Sequence, residues 1–238
     1  MSTNSKDSEA EQLKSAGIIV DNSLSIEEVK IEVAKKGYDE TELQAGKTKI
    51  IFAQQALSDQ AKKAGIAKDA TRDEANAKSA AHSAYQDLAQ IIRNKYSANS
   101  PELTKLGLVS SEPKTTADSI KAGYTLFDNA ASDTEIAAYI LKKGYTPEFI
   151  KSERDKFSAY EIANAAQVKA IGLAGDATKV KVDAFKDMNE WISEYKTTAK
   201  VALRKKPALL EQLGIKIKKR GTSQKKRKST AAANTPAK

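Results

Sequence analysis

Cysteine is absent from this 238-residue chain. A disulfide framework, a thiolate metal site and a thiol nucleophile are thereby excluded. Histidine occurs once, at His82, which is too little for a histidine-based metal site. Proline (5) and glycine (11) are scarce, so turns are few and elements long. Aromatic residues make up only 6 % against a hydrophobic content of 40 %, a mix that suits helices packed through small side chains. No apolar run approaches the roughly 20 residues of a membrane span. The opening M-S-T-N-S-K-D-S-E-A carries acids and no apolar core, and does not read as a signal peptide. Neither phosphate-loop pattern, G-x-G-x-x-G or G-x-x-x-x-G-K-[ST], occurs, and EF-hand, zinc and Glu-x-x-His spacings are missing. The expectation is a cytoplasmic protein with no metal, cofactor or small-molecule substrate. No nucleophile–base pair can be read, so an enzyme is not expected.

What is present is a repeat. Ala64–Thr71 reads A-G-I-A-K-D-A-T and returns 107 residues later as I-G-L-A-G-D-A-T, so that Gly65 and Asp69 match Gly172 and Asp176. The same offset aligns Lys35-Lys36-Gly37-Tyr38 with Lys142-Lys143-Gly144-Tyr145, and Leu106-Gly107 with Leu213-Gly214. Self-similarity at a fixed offset is the signature of duplicated architecture. The chain divides into a disordered N-terminus 1–10, a helical unit 11–109, a linker 110–117, a second helical unit 118–215 and a tail 216–238.

Within each unit the signals are helical. Ser25 with Glu28, and Ser132 with Glu135, read as helix starts of the capping-box kind. Gly37-Tyr38 and Gly144-Tyr145 read as left-handed helix ends. Asp39 and Thr146-Pro147 open the next elements. The long segments 39–96 and 146–203 carry apolar residues at close to a seven-residue repeat. In the first these are Leu43, Ile50, Ala53, Leu57, Ala64, Ala67, then Ala77, Ala81, Ala84, Leu88 and Ile91. The second has Ile150, Phe157, Tyr160, Val168, Ile171, Ala174, then Phe185, Met188, Ile192, Tyr195 and Ala199. The repeated octapeptide at the middle of each segment is favoured as a turn, glycine ending one helix and Asp69 or Asp176 capping the next. That reading gives an all-α protein with four long antiparallel helices. The alternative gives two helices of about 58 residues, with Gly65 and Gly172 marking a close crossing. Short helices ending at Gly107 and Gly214 close each unit.

The charge sits at one end. Residues 216–238 hold nine Lys or Arg and no acid, which equals the entire net charge of +9 and leaves 1–215 balanced. Lys216, Lys218, Lys219, Arg220, Lys225, Lys226, Arg227 and Lys228 form two clusters. Such clusters neutralise phosphates without reading sequence. With no aromatic residue interleaved, base stacking is not on offer. DNA or RNA is the first expected partner, with nucleoid or other nucleic-acid association; anionic lipid and acidic protein surfaces are the others.

The run Ala184-Phe185-x-x-Met188-x-x-Trp191-x-x-x-Tyr195-x-x-x-Ala199, followed by Ala202-Leu203-x-x-x-Pro207-x-Leu209-Leu210-x-x-Leu213-Gly214, resembles the C-terminal part of uncharacterised bacterial helical-bundle proteins. The resemblance covers about 30 residues of mostly apolar spacing. It implies a helical bundle and carries no activity. The expected function is therefore a non-enzymatic scaffold whose tail binds a polyanion. The alternative is a bundle that binds a protein partner or itself, the tail being incidental.

Overall fold

A computed structural model describes residues 8–109 and 113–215. The described residues are helical, with no strand among them. Eight helices follow in order: α1 Glu9–Ser25, α2 Glu27–Ala34, α3 Glu40–Arg93, α4 Pro101–Lys105, α5 Thr116–Ser132, α6 Thr134–Leu141, α7 Pro147–Ala202 and α8 Pro207–Gln212. The first four are 17, 8, 54 and 5 residues long, and the last four 17, 8, 56 and 6.

The helix ends follow local chemistry. Gly37 and Gly144 take φ of +90° and +91°, which glycine alone adopts freely. Tyr38 then donates its amide to the Val33 carbonyl, and Tyr145 donates to Ile140, satisfying carbonyls that the helix end leaves open. Asp39 and Thr146 accept from the amides of Glu42 and Phe149, as expected of helix starts. The starts read at Ser25 and Ser132 are displaced by one residue. Ser25 and Ser132 end α1 and α5, and the caps are Ile26, which contributes no side-chain bond, and Asp133, which accepts from Glu135 and Ile136. Asp133 offers a carboxylate where Ser132 offers a hydroxyl, and the carboxylate is the stronger acceptor for helix amides. The N-terminal boundary also moves. Ser8 and Glu11 form a reciprocal capping box, so α1 begins inside the stretch expected to be disordered. Likewise Thr115 caps α5, which takes in the last residues of the expected linker. Residues 1–7 and 110–112 lie outside the described part.

The octapeptide is not a turn. Residues 64–71 and 171–178 lie inside α3 and α7, each one continuous helix, so the reading of four long helices gives way to two of about 80 Å. The reason is phase. Residues 53, 56, 60, 63, 67, 70, 74, 77, 81 and 84 of α3 are the partly or fully buried ones at alternating steps of three and four, and the step never resets at Gly65. In α7 the same sequence runs through 160, 163, 167, 170, 174, 177, 181, 184, 188 and 191, each 107 residues on. A helix-interior glycine costs about 1 kcal/mol, which the continued burial of Ala67, Ala70, Ala174 and Ala177 outweighs.

The described chain forms two compact units that do not coincide with the sequence repeats. The first is Met1–Ile51 with Asp187–Lys238, the second Phe52–Lys186. In the first, Trp191 and Tyr195 stack at 5.4 Å and Tyr38 meets both edge-on. Trp191 is a packing anchor: its indole N–H donates to Glu42 at 2.8 Å, and its ring lies over Gly46. The Tyr195 hydroxyl bonds Ser23, both groups being buried. In the second unit Phe157 occupies the place above Gly123, beside Phe127. A matched pair of bonds fastens the short helices. Asn22 of α1 donates to the Gln212 carbonyl of α8 in the first unit, and Asn129 of α5 donates to the Lys105 carbonyl of α4 in the second, each at 2.6 Å. Each unit thus takes its short closing helix from the other half of the sequence.

The glycines give a test of opposite sign. A Cβ at Gly46 would enter the Trp191 ring, whereas one at Gly65 or Gly172 meets nothing within 4 Å. Gly46→Ala is expected to destabilise by about 1–3 kcal/mol through overpacking, and Gly65→Ala or Gly172→Ala to stabilise by about 0.5–1 kcal/mol. Urea unfolding followed by far-ultraviolet circular dichroism measures all three.

Candidate functional site

The repeated residues lie on the outer surface of their helices. Gly65 and Gly172 face open space, so neither marks a close helix crossing. Asp69 and Asp176 cap nothing. Asp69 pairs with Arg72 at 3.0 Å and Asp176 with Lys179 at 3.7 Å, one turn ahead and exposed on both sides. The Thr71 and Thr178 hydroxyls donate back to the carbonyls of Ala67 and Ala174. Ala67 and Ala70, with Ala174 and Ala177, sit on the buried line, whereas Ala64 and the polar residues lie on the solvent side. What recurs is a stretch of the buried line with an exposed ion pair beside it. The eight basic positions proposed for polyanion binding, Lys216 to Lys228, lie outside the described residues. Their point of attachment is described. Beyond α8, Leu213 and Ile215 are buried in the first unit, and Gly214 between them turns the chain with φ +71°. Lys206, at the start of α8, bridges Glu28 and Glu32 of α2 at 2.8 and 3.0 Å. These contacts hold Lys206 protonated above the usual lysine range, Glu28 contributing most.

The structure shows a feature that the apolar pattern misassigns. Val168 and Ile171 belong by spacing to the inner face of α7 but are 63 % and 52 % exposed. They fall on a second line, Val168, Ile171, Gly175, Thr178 and Val182, again at steps of three and four and turned away from the buried one. The corresponding line on α3, Ala61, Ala64, Lys68, Thr71 and Ala75, has no large apolar side chain. Two stripes on one helix merge when apolar residues are only counted, which is why the distinction needs the burial pattern. Leu57 and Ile91, also assigned inward, are half-buried, and Ala64 is exposed.

The second unit also holds a cavity of about 220 Å³ whose mouth includes His82. Among the described residues no group of three or more His, Cys, Asp or Glu could hold a metal ion, and no helix is long and apolar enough to cross a membrane.

No family model, curated protein or solved structure matches the chain.

Asp69 and Asp133 separate an ion pair from a cap. Asp133 holds its carboxyl below the ordinary aspartate range, chiefly through the Ile136 amide and then through Lys105. Asp69→Asn is expected to change stability by no more than about 0.5 kcal/mol. Asp133→Ala should lower the unfolding midpoint by clearly more. A depressed folded-state pKa stabilises above the unfolded value and is lost as pH falls through it. The gap between Asp133→Ala and the parent protein should therefore close on acidification, which denaturant titration at neutral and acid pH would detect.

Proposed function

We propose that the chain is a non-enzymatic helical scaffold that binds a polyanion, nucleic acid first, through its basic C-terminal segment. The observation that carries this reading is the division of charge: 1–215 is balanced, and the whole +9 lies beyond Ile215. Phosphate neutralisation by clustered Lys and Arg supplies affinity through counterion release, without base contacts. The buried residues after α8, Leu213 and Ile215, fit a tether, because they fix the chain immediately before the basic segment begins in the sequence. The matched element lengths and the shared 107-residue offset support a tandem duplication whose halves exchange their closing helices. The three-and-four spacing on α3 and α7 supports a two-stranded coiled-coil stem with alanine-rich seams.

A second reading, self-association, is favoured by the stripe on α7. Gly175 lies at its centre, and pairing two stripes antiparallel about a two-fold axis sets Val168 against Val182 and Ile171 against Thr178. The open space at Gly175 admits the close backbone approach that such an isologous contact needs.

Fluorescence anisotropy with a labelled DNA duplex and a matched RNA tests the main reading. The full chain should bind with a log–log salt slope of roughly −4 to −7, and a chain ending at Ile215 should lose binding. If the full chain does not bind at low salt, the polyanion reading fails. Sedimentation of Ile171→Lys beside the parent then decides on self-association: a dimer that the substitution splits supports the stripe as interface.

A further inference from the structure

The cavity in the second unit is built from three elements. Its floor is aromatic: Tyr85 of α3 with Phe157 and Tyr160 of α7, all less than 9 % exposed. Its mouth carries Lys78 and His82 of α3 and Lys114 from the segment before α5. Hydroxyls of Thr115, Thr116 and Ser119 complete the wall, and Thr116 is fixed by the Tyr160 hydroxyl at 3.2 Å. No acid lines the cavity. The neighbouring carboxylate, Asp118, is occupied by the Thr115 hydroxyl at 2.7 Å. Neither Lys78 nor Lys114 has an ion-pair partner among the described residues.

The other half of the sequence shows what this place holds when it serves packing alone. At the positions 107 residues on from Lys78 and Ala81 stand Phe185 and Met188, both buried. Asn189 corresponds to His82, and Gln12 of α1 corresponds to Ser119. In the first unit Asn189 donates to the Gln12 side chain at 2.8 Å. At these three positions larger apolar groups and a closing hydrogen bond there correspond to a cation, a methyl group and a short hydroxyl here, while the rings of Tyr85, Phe157 and Tyr160 here stand where Ile192, Ile50 and Ala53 stand there. Protein interiors are close-packed, and an aromatic-floored void forfeits dispersion contacts. A void kept open under unpaired cations is what a bound molecule would fill.

We propose that this cavity is a binding site for a small aromatic anion, a single ring bearing a carboxylate or a similar acid group. The ring would lie on Tyr85, Phe157 and Tyr160, and the acid group would meet Lys78, Lys114 and the Thr116 hydroxyl, which accepts from Tyr160 and keeps its own proton to donate, the Ser119 hydroxyl being committed to the Thr115 carbonyl. The volume is below the roughly 300–1,000 Å³ of sites for drug-sized ligands, which limits the occupant to one ring. An inorganic anion would leave the aromatic floor unused, and a neutral ring would leave the cations unused. The proposal leans on the pairing of the two halves at 107 residues and is independent of the basic tail.

The test is titration of the full chain with sodium benzoate, benzyl alcohol and inorganic phosphate, followed by amide shifts in nuclear magnetic resonance. Benzoate should produce saturable shifts at Thr116, Ser119 and the stretch from Lys78 to Tyr85, about tenfold tighter than either other probe. Lys78→Glu with Lys114→Glu, both on the exposed rim, should weaken benzoate about tenfold. Ala81→Met, which copies the filled counterpart, should abolish binding of benzoate and benzyl alcohol alike, with a thermal melt to show that it folds. If Ala81→Met does not fold, the charge-reversed protein still decides. No saturable shift up to about 20 mM overturns the site. So does phosphate binding as tightly as benzoate, which would make the rings idle, or benzyl alcohol doing so, which would make the lysines idle. Shifts that survive both sets of substitutions overturn it as well.

Discussion

Small side chains held in phase along two long helices are the constraint on which the rest depends. A helix of more than fifty residues has no stability of its own in proportion to its length; it needs a surface to bury along that length. α3 and α7 meet the need with lines of mostly alanine, at steps of three and four that run unbroken past two glycines. Alanine contributes little apolar area per residue, but it costs almost no side-chain entropy and allows close approach. The larger contributions are placed at the ends of the helices, where Trp191, Tyr195 and Tyr38 pack in one unit and Phe157, Phe127 and Tyr160 in the other. Gly46 and Gly123 are small where these rings lie, a requirement of space and not of backbone conformation.

How much of this is legible without coordinates varies with the type of signal. Chain-reversing glycines are legible, because Gly37 and Gly144 are each followed by an aromatic residue that packs back and then by a residue that caps the next helix. Gly65-Ile66 and Gly172-Leu173 carry the first half of that signature and lack the second, since no cap follows at once. Phase continuity decides the matter, and it is a property of thirty residues, not of eight. Caps are read one residue early at Ser25 and Ser132 because serine and aspartate are near-equal candidates when they stand together, as at Ser132-Asp133. Val168 and Ile171 mislead for another reason: seven-residue spacing gives a helix face only to within about one position, and two stripes one position apart have the same period. The cavity leaves no local sequence motif at all. Its trace is a difference between halves, Lys78 against Phe185 and Ala81 against Met188.

The two units also illustrate why a repeat in sequence and a unit in space need not be the same partition. Because α3 and α7 each pass from one unit into the other, the short helix after each long one arrives beside the opposite pair of opening helices. Asn22 and Asn129 then make equivalent bonds to α8 and α4, the partner in each case coming from the other half of the chain. Asp21 with Lys47 and Asp128 with Arg154 repeat the correspondence as ion pairs. Equivalent positions carry equivalent contacts, so a departure from equivalence has a cause to be sought in that one place.

Two such departures stand out, and they lie in opposite directions. At the positions around Met188 and Asn189 the first unit has gained volume and a side-chain hydrogen bond, while the second has a void under cations. On α7 the outer stripe has gained valine and isoleucine where α3 keeps alanine and lysine. The outer stripe is exposed on both α3 and α7, so the valine and isoleucine on α7 add nothing to the buried line. A local departure of this kind, exposed apolar surface or an open cavity, forgoes only part of the total stability. The charge is divided along the sequence as well: a cluster of eight cations within the balanced stretch 1–215 would repel itself and compete for the existing ion pairs, and the sequence carries that cluster after Ile215 instead.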